Sequence, residues 1–235
     1  MLKYKRVLLK LSGETLSGGN TGKFDEASTL NVARQVKSAV EQGLQVGIVI
    51  GGGNFWRGRS SERMDRSKAD EIGMMATVMN CQYAAAVFRM VGLDSVIMTP
   101  FPVGTFTEVY SKEAMISYLN AGKIVFFAGG TGHPYFSTDT GAALRALQME
   151  ADAILLAKNI DGVYDKDPNQ YPDAIRFEKM TLSDVIAKGL KVMDMTAAQL
   201  CLENKMPMEV FFFGEENAIL AAAEGRQKGT SILAE

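Results

Sequence analysis

The apolar run Val46–Ile50 ends in Gly51-Gly52-Gly53, and Arg57 follows four residues later. Three residues without a Cβ let the backbone come close to a ligand and take positive φ. Their amides can face an anion, and the guanidinium of Arg57 can grip it in a fork. This is chemistry for holding a phosphate at the end of a strand, and it points to phosphoryl transfer. A tight turn would explain some of these glycines, but three in a row cost more chain entropy than a turn requires.

Lys10-Leu11-Ser12-Gly13 closes an earlier apolar run. A lysine in a buried strand is costly unless its charge is used. At the carboxyl end of a strand, where open α/β sheets bind ligands, its ammonium could meet the β- and γ-phosphates of a nucleotide. The plainer reading is an edge lysine whose head reaches water. A third segment, Gly129-Gly130-Thr131-Gly132 through Thr140, puts glycines after a strand and Ser, Thr and Asp before a helix. Thr138 or Asp139 suits an N-cap, and the free amides of the helix start suit an anion. Both can hold together. A fourth, Lys158-Asn159-Ile160-Asp161-Gly162-Val163-Tyr164 with Asp167-Pro168, offers a tyrosine that could pack on a purine; on these residues alone a hairpin with a half-exposed tyrosine is the better account.

Strand-like and helix-like stretches must position these residues. Strands are expected at Arg6–Leu11, Gln45–Ile50, Ser95–Thr99, Ile124–Ala128 and Ala153–Ala157. Between them, Leu30, Ala33, Val36 and Val40 repeat at helical spacing before Gly43, and helices are expected at Ala69–Val91, Ser111–Ala121 and Thr138–Met149. Beyond Ala157 the chain is turn-rich; Thr181-Leu182-Ser183-Asp184 reads as a capping box, and Lys205–Phe213 and Thr230–Leu233 as late strands. The βαβα alternation argues for a mostly parallel sheet covered on both faces. With no low-complexity linker, one continuous fold of two lobes is expected over 1–235.

Composition narrows the alternatives. The chain has 235 residues, 47% hydrophobic and 22% charged, enough for a sizeable core. A net charge of −2 disfavours nucleic acid as the main partner. Cys81 and Cys201 are the two cysteines and have no metal or disulfide spacing. No apolar stretch approaches the ~18 residues of a membrane span, and Met1–Arg6 runs into a strand rather than reading as a signal peptide. A cytoplasmic location is expected. The dinucleotide pattern G-x-G-x-x-G does not occur, and Gly18–Lys23 lacks P-loop spacing. His133 is the one histidine, and no nucleophile elbow accompanies it.

These segments, in this order, resemble the amino-acid kinase superfamily, and within it the bacterial uridylate (UMP) kinase branch. The residues carrying the resemblance are Lys10–Gly13, Gly51–Gly58, Met74-Met75-Ala76-Thr77-Val78-Met79-Asn80, Gly130–Asp139, Asp161–Tyr164 with Asp167-Pro168, and Leu190-Lys191-Val192-Met193-Asp194, spread over essentially the whole chain. The methionine run and Lys-Val-Met-Asp mark the branch; the glycine loops mark only the superfamily.

The resemblance implies a three-layer α/β/α sandwich around a central, mainly parallel eight-stranded sheet. It implies transfer of the ATP γ-phosphate to UMP, with Mg²⁺ held mainly through the nucleotide phosphates and no protein metal site. The acceptor would lie in a lobe of about 1–150 and ATP in a lobe of about 151–235. Lys10, Leu11, Ser12, Gly13, Gly53 and Arg57 correspond to ATP-phosphate contacts, and Lys158, Asn159, Tyr164 and Asp167 to the adenine-nucleotide pocket. Gly52 and Asp70 correspond to UMP contacts, Asp70 on the ribose, and Thr131, Gly132, His133, Pro134, Tyr135, Phe136, Ser137 and Thr138 to a UMP-binding loop. Lys10, Arg57, Asp139 and Asp194 would form the catalytic centre. His133 departs from the family motif, which has asparagine there. The loop Ser17–Lys23 lies where relatives respond to GTP, so GTP and UTP are candidate effectors, and a homohexamer is expected. The competing readings are a carboxylate or carbamate kinase of the superfamily, and a non-catalytic nucleotide- or oxyanion-binding protein on this fold.

Overall fold

The computed structural model describes residues 1–18, 23–56 and 64–235. In chain order the elements are β1 (Arg6–Leu11), α1 (Gly13–Ser17), α2 (Glu26–Glu41), β2 (Gln45–Ile50), α3 (Arg66–Met90), β3 (Ser95–Thr99), β4 (Glu108–Val109), α4 (Lys112–Asn120), β5 (Ile124–Phe127), α5 (Thr138–Gln148), β6 (Ala153–Lys158), β7 (Val163–Tyr164), β8 (Arg176–Phe177), β9 (Lys179–Thr181), α6 (Leu182–Ala187), α7 (Met195–Glu203), β10 (Met208–Phe212), α8 (Ala218–Ala223) and β11 (Gly229–Leu233). The main sheet has nine strands, among the described residues, in the order β4-β3-β5-β2-β1-β6-β10-β11-β9. Every pairing in it is parallel except β10 with β11. The mainly parallel three-layer expectation is borne out; the strand count is nine rather than eight. The short edge strands β4 and β9, of 2 and 3 residues, are too brief to leave a periodic pattern.

Alternation along the central strands builds two cores. Val7, Leu9 and Leu11 of β1 face one way with Val46, Ile48 and Ile50 of β2, under residues of α2, α3 and α8. Leu8 and Val49 face the other way with Phe127 and Leu156, under α4, α5, α6 and α7. Lys10 falls in register with Leu8 and therefore emerges on the α5 side.

Boundaries match closely where caps are readable. Thr181 and Asp184 form the reciprocal capping box that opens α6. The helix expected from Ala69 begins at Arg66 because Asp65 caps it, accepting from the Lys68 amide at 3.1 Å. α5 is capped by Ser137, not by Thr138 or Asp139. α1, a single turn capped by Ser12, has no counterpart in the sequence pattern.

Candidate active site

The central strands β5, β2, β1 and β6 lie side by side and deliver the motif residues from their carboxyl ends. β1 and β2 stop level, Leu11 opposite Ile50, and the Gly51 amide donates to the Leu11 carbonyl at 3.0 Å. The two loops then run in contact: a Cβ on Gly13 would lie 2.2 Å from Asn54 Oδ1 and 2.6 Å from the Gly51 carbonyl, so only glycine fits. A Cβ on Gly52 would meet the Gly73 carbonyl at 2.8 Å. Gly51 and Gly52 are not at positive φ, contrary to that part of the expectation. Close approach to α3 is what demands glycine at position 52.

Asn80 fixes this turn from beneath. It is fully buried on α3; its Nδ2 donates to the Gly51 carbonyl at 2.7 Å and to Asn54 Oδ1 at 2.8 Å, while Asn54 Nδ2 returns a bond to Asn80 Oδ1 at 3.1 Å. One turn earlier, Thr77 Oγ1 accepts the Gly129 amide at 2.8 Å, tying the next glycine loop to the same helix. The polar positions of the Met-Ala-Thr-Val-Met-Asn run thus hold two loops in place. Their sequence signal was a buried-looking Thr and Asn within an apolar helix.

A cavity of about 390 Å³ opens over these strand ends. Lys10, Ser12, Gly13, Gly52, Gly53, Asp70, Thr131, His133, Phe136, Ser137, Thr138 and Asp139 line it, all residues expected at the site. Trp56, Arg66, Met74 and Thr77 line it as well; none of the four was expected as a ligand contact, although Trp56, Met74 and Thr77 lie in segments that carry the resemblance. Arg57 lies outside the described residues. Leu11 points into the core, so only its backbone could meet a ligand. Gly132, Pro134 and Tyr135 belong to the adjoining loop but not to the cavity lining; the Tyr135 ring is exposed, with the Arg66 guanidinium 5.4 Å from its centroid.

Charge in the cavity is paired. Lys10 Nζ sits 2.8 Å from Asp139 Oδ1. Asp70 Oδ2 accepts from Arg66 Nε and from the Tyr135 amide, both at 2.8 Å, which folds the 130–137 loop back onto α3. Asp194 lines neither cavity. It caps α7 through the Ala197 amide at 3.0 Å and accepts from the hydroxyls of Ser137 and Thr140 at the start of α5. Burial works to raise its pKa, but the bonds from Ser137, Ala197, Thr140 and Thr196 outweigh it and hold the carboxyl below its ordinary value.

A second cavity of about 580 Å³ follows β6. Lys158, Tyr164 and Asp167 line it, together with Pro168 and the Lys188–Val192 segment; Asn159 is exposed and outside the lining. Tyr164 Oη donates to Asp161 Oδ1 at 2.7 Å, and Arg176 holds the other carboxylate oxygen at 2.6 Å. Lys158 Nζ donates to the Val192 carbonyl at 2.9 Å. No group of three or more acidic, His or Cys side chains forms a metal cage among the described residues. Asp139 and Glu14 bring carboxylates to the Lys10–Gly13 end of the first cavity, too few for a protein cage and suited to a Mg²⁺ held chiefly by substrate phosphates.

A glycine-lined strand-end cavity with a paired lysine, beside a second cavity on the next strand, defines a phosphotransferase of the amino-acid kinase type. The model of the amino acid kinase family matches residues 5–211, and the chain belongs to that family. Among solved structures it is similar to UMP kinase from Bacillus anthracis, at 35% identity over 99% of this chain and 97% of that one with a TM-score of 0.94. It is similar also to UMP kinase from Ureaplasma parvum, at 33% identity over 99% of this chain and all (100%) of that one, TM-score 0.92.

Proposed function

We propose that this chain transfers the γ-phosphoryl group of ATP to UMP, giving UDP and ADP. The observation that carries the reading is the pairing of two cavities on adjacent strands. Every residue lining the first lies within 10–139, and every residue lining the second within 158–210. The first takes UMP, with the Asp70 carboxylate on the ribose and the 131–138 loop around the base and phosphate. The second takes the adenosine of ATP, with Tyr164 and Asp167 at its wall. The phosphate chains meet where Lys10, Ser12, Gly13 and Gly53 converge. Similarity to the two UMP kinases favours this acceptor over a carboxylate or carbamate.

Phosphoryl transfer asks the protein for positioning and charge rather than covalent chemistry. The dianionic UMP phosphate attacks in line; the bond from γ-phosphorus to the bridging oxygen breaks, and that oxygen leaves with its electron pair on ADP. Lys10 neutralises charge on the migrating group, and Asp139 holds the ammonium aimed at it. The glycine amides hold the attacking phosphate in place. Asp194 positions the start of α5, and so Asp139, without touching substrate. Mg²⁺ bound to the ATP phosphates would add neutralising charge. Arg57 belongs to the same proposal as a phosphate contact.

Assembly forms part of the reading. Ile72, Met75 and Met79 recur at helical spacing on α3 and are 40, 44 and 49% exposed. A subunit contact would cover this stripe, in keeping with a homohexamer. Cys81 and Cys201 are free and buried, as in a protein of the reducing cytoplasm. GTP and UTP remain effectors to be tested. A coupled assay of ADP release with UMP, CMP, dUMP, carbamate, acetylglutamate and aspartate, with and without GTP, tests the whole reading. UMP-dependent turnover is expected, and turnover confined to a carboxylate or carbamate would overturn it.

A further inference from the structure

The mechanism above gives no task to the lysines that line the second cavity, Lys158, Lys166, Lys188 and Lys191, and of these Lys158 is the one whose strand pairs with that of Lys10. β6 runs parallel to β1 with Leu156 opposite Lys10, and Lys158 stands two residues further on, on the same face of the sheet as Lys10. It ends the strand and forms part of the wall of the second cavity. The charges acting on it are Lys10 and Asp139, both in the lining of the first. Among the described residues its ammonium has one hydrogen-bond partner, the Val192 carbonyl, although three donors are available. An adenine pocket has no use for such a cation, since the base is neutral. A polyanion crossing from one cavity to the other does.

We propose that Lys158 is a second catalytic lysine, closing on the γ-phosphoryl group from the ATP side while Lys10 closes on it from the UMP side. This rests on the phosphoryl-transfer reading. Burial and the neighbouring Lys10 charge push the Lys158 pKa down, and the role requires its protonated form, which donates hydrogen bonds to phosphoryl oxygens as charge shifts toward the bridging oxygen while no proton changes hands. Placement of two ammoniums on neighbouring strands fixes their separation by the sheet itself, which is the preorganisation that makes electrostatic catalysis effective.

The test is Lys158→Gln, which keeps a donor for the Val192 carbonyl and removes the charge, with Lys158→Met as a second variant and Lys158→Arg as the charge-retaining control. For Lys158→Gln, kcat is expected to fall about 10²–10³-fold. KM for UMP should stay within about threefold, and the ratio of ATP to ADP affinity, read by calorimetry, should drop about tenfold. Lys158→Arg should recover part of kcat. Unchanged kcat in both neutral variants would overturn the proposal. So would equal losses of ATP and ADP affinity, the signature of a pocket wall, or lowered melting with phosphate discrimination intact, the signature of a prop for Val192. Should the wild type fail to phosphorylate UMP, the acceptor assignment falls, and the ATP–ADP comparison still decides the role of Lys158.

Discussion

The Lys10 ammonium lies 2.8 Å from Asp139 Oδ1, joining the end of β1 to the first turn of α5. Both side chains are largely sheltered, at 14 and 20% exposure. The pair therefore holds a charge in fixed orientation where water would otherwise let it wander.

Replacing Lys10 by alanine is expected to lower kcat about 10²–10³-fold, as removal of one preorganised electrostatic contact does. Circular dichroism and melting should show the fold retained, since the side chain caps no helix and fills no core. Near-normal turnover in folded protein would refute the role.

Asp70→Asn should weaken UMP by about 10–100-fold, the worth of a hydrogen bond to a charged group, with ATP affinity much less affected. The carboxylate also anchors the Tyr135 amide and Arg66, so the 130–137 loop should loosen as well. Equal losses for both nucleotides would refute the assignment.

Asn80→Leu should destabilise the protein by about 1–3 kcal/mol, because it strands the Gly51 carbonyl and Asn54 without partners in the interior. For a chain of this size that corresponds to a melting shift of about 2–4 °C per kcal/mol. A melting temperature equal to wild type would contradict the part given to Asn80 in holding the glycine turn.

Asp194 gives a pH signature. Its carboxyl is held below its ordinary value when folded, so its stabilisation is complete above the unfolded pKa and is lost as pH falls through the folded one. Asp194→Asn should melt earlier than wild type at pH 7, and the gap should narrow toward acid pH. A gap that stays constant or widens on acidification would show that the carboxylate charge is not what matters.

Much of this was legible in the chain. β1, β2 and β3 begin and end at the residues expected, because apolar β-branched runs stop at glycine, serine or proline. The cavity assembled most of the expected motif residues, since each motif sits immediately after a strand and parallel strands bring such ends together. What escaped has a common cause. α1, β4 and the capping roles of Ser137 and Asp65 span too few residues to set up a period. The contributions of Trp56, Arg66 and Thr77 depend on how α3 crosses the sheet, a tertiary fact that no local pattern encodes. The freedom of the triple glycine to take positive φ goes unused at Gly51 and Gly52, and its other expected virtue, close approach, is what sets Gly52.

Asp194 lines neither cavity, yet the segment leading into α5 borders one and the segment leading into α7 borders the other. The same carboxylate is knotted to both helix starts. A ligand that displaces either wall must therefore work against, or pull upon, one shared fastening. If occupancy on one side shifts this fastening, thermodynamic reciprocity requires each ligand to alter the other's affinity by an equal factor.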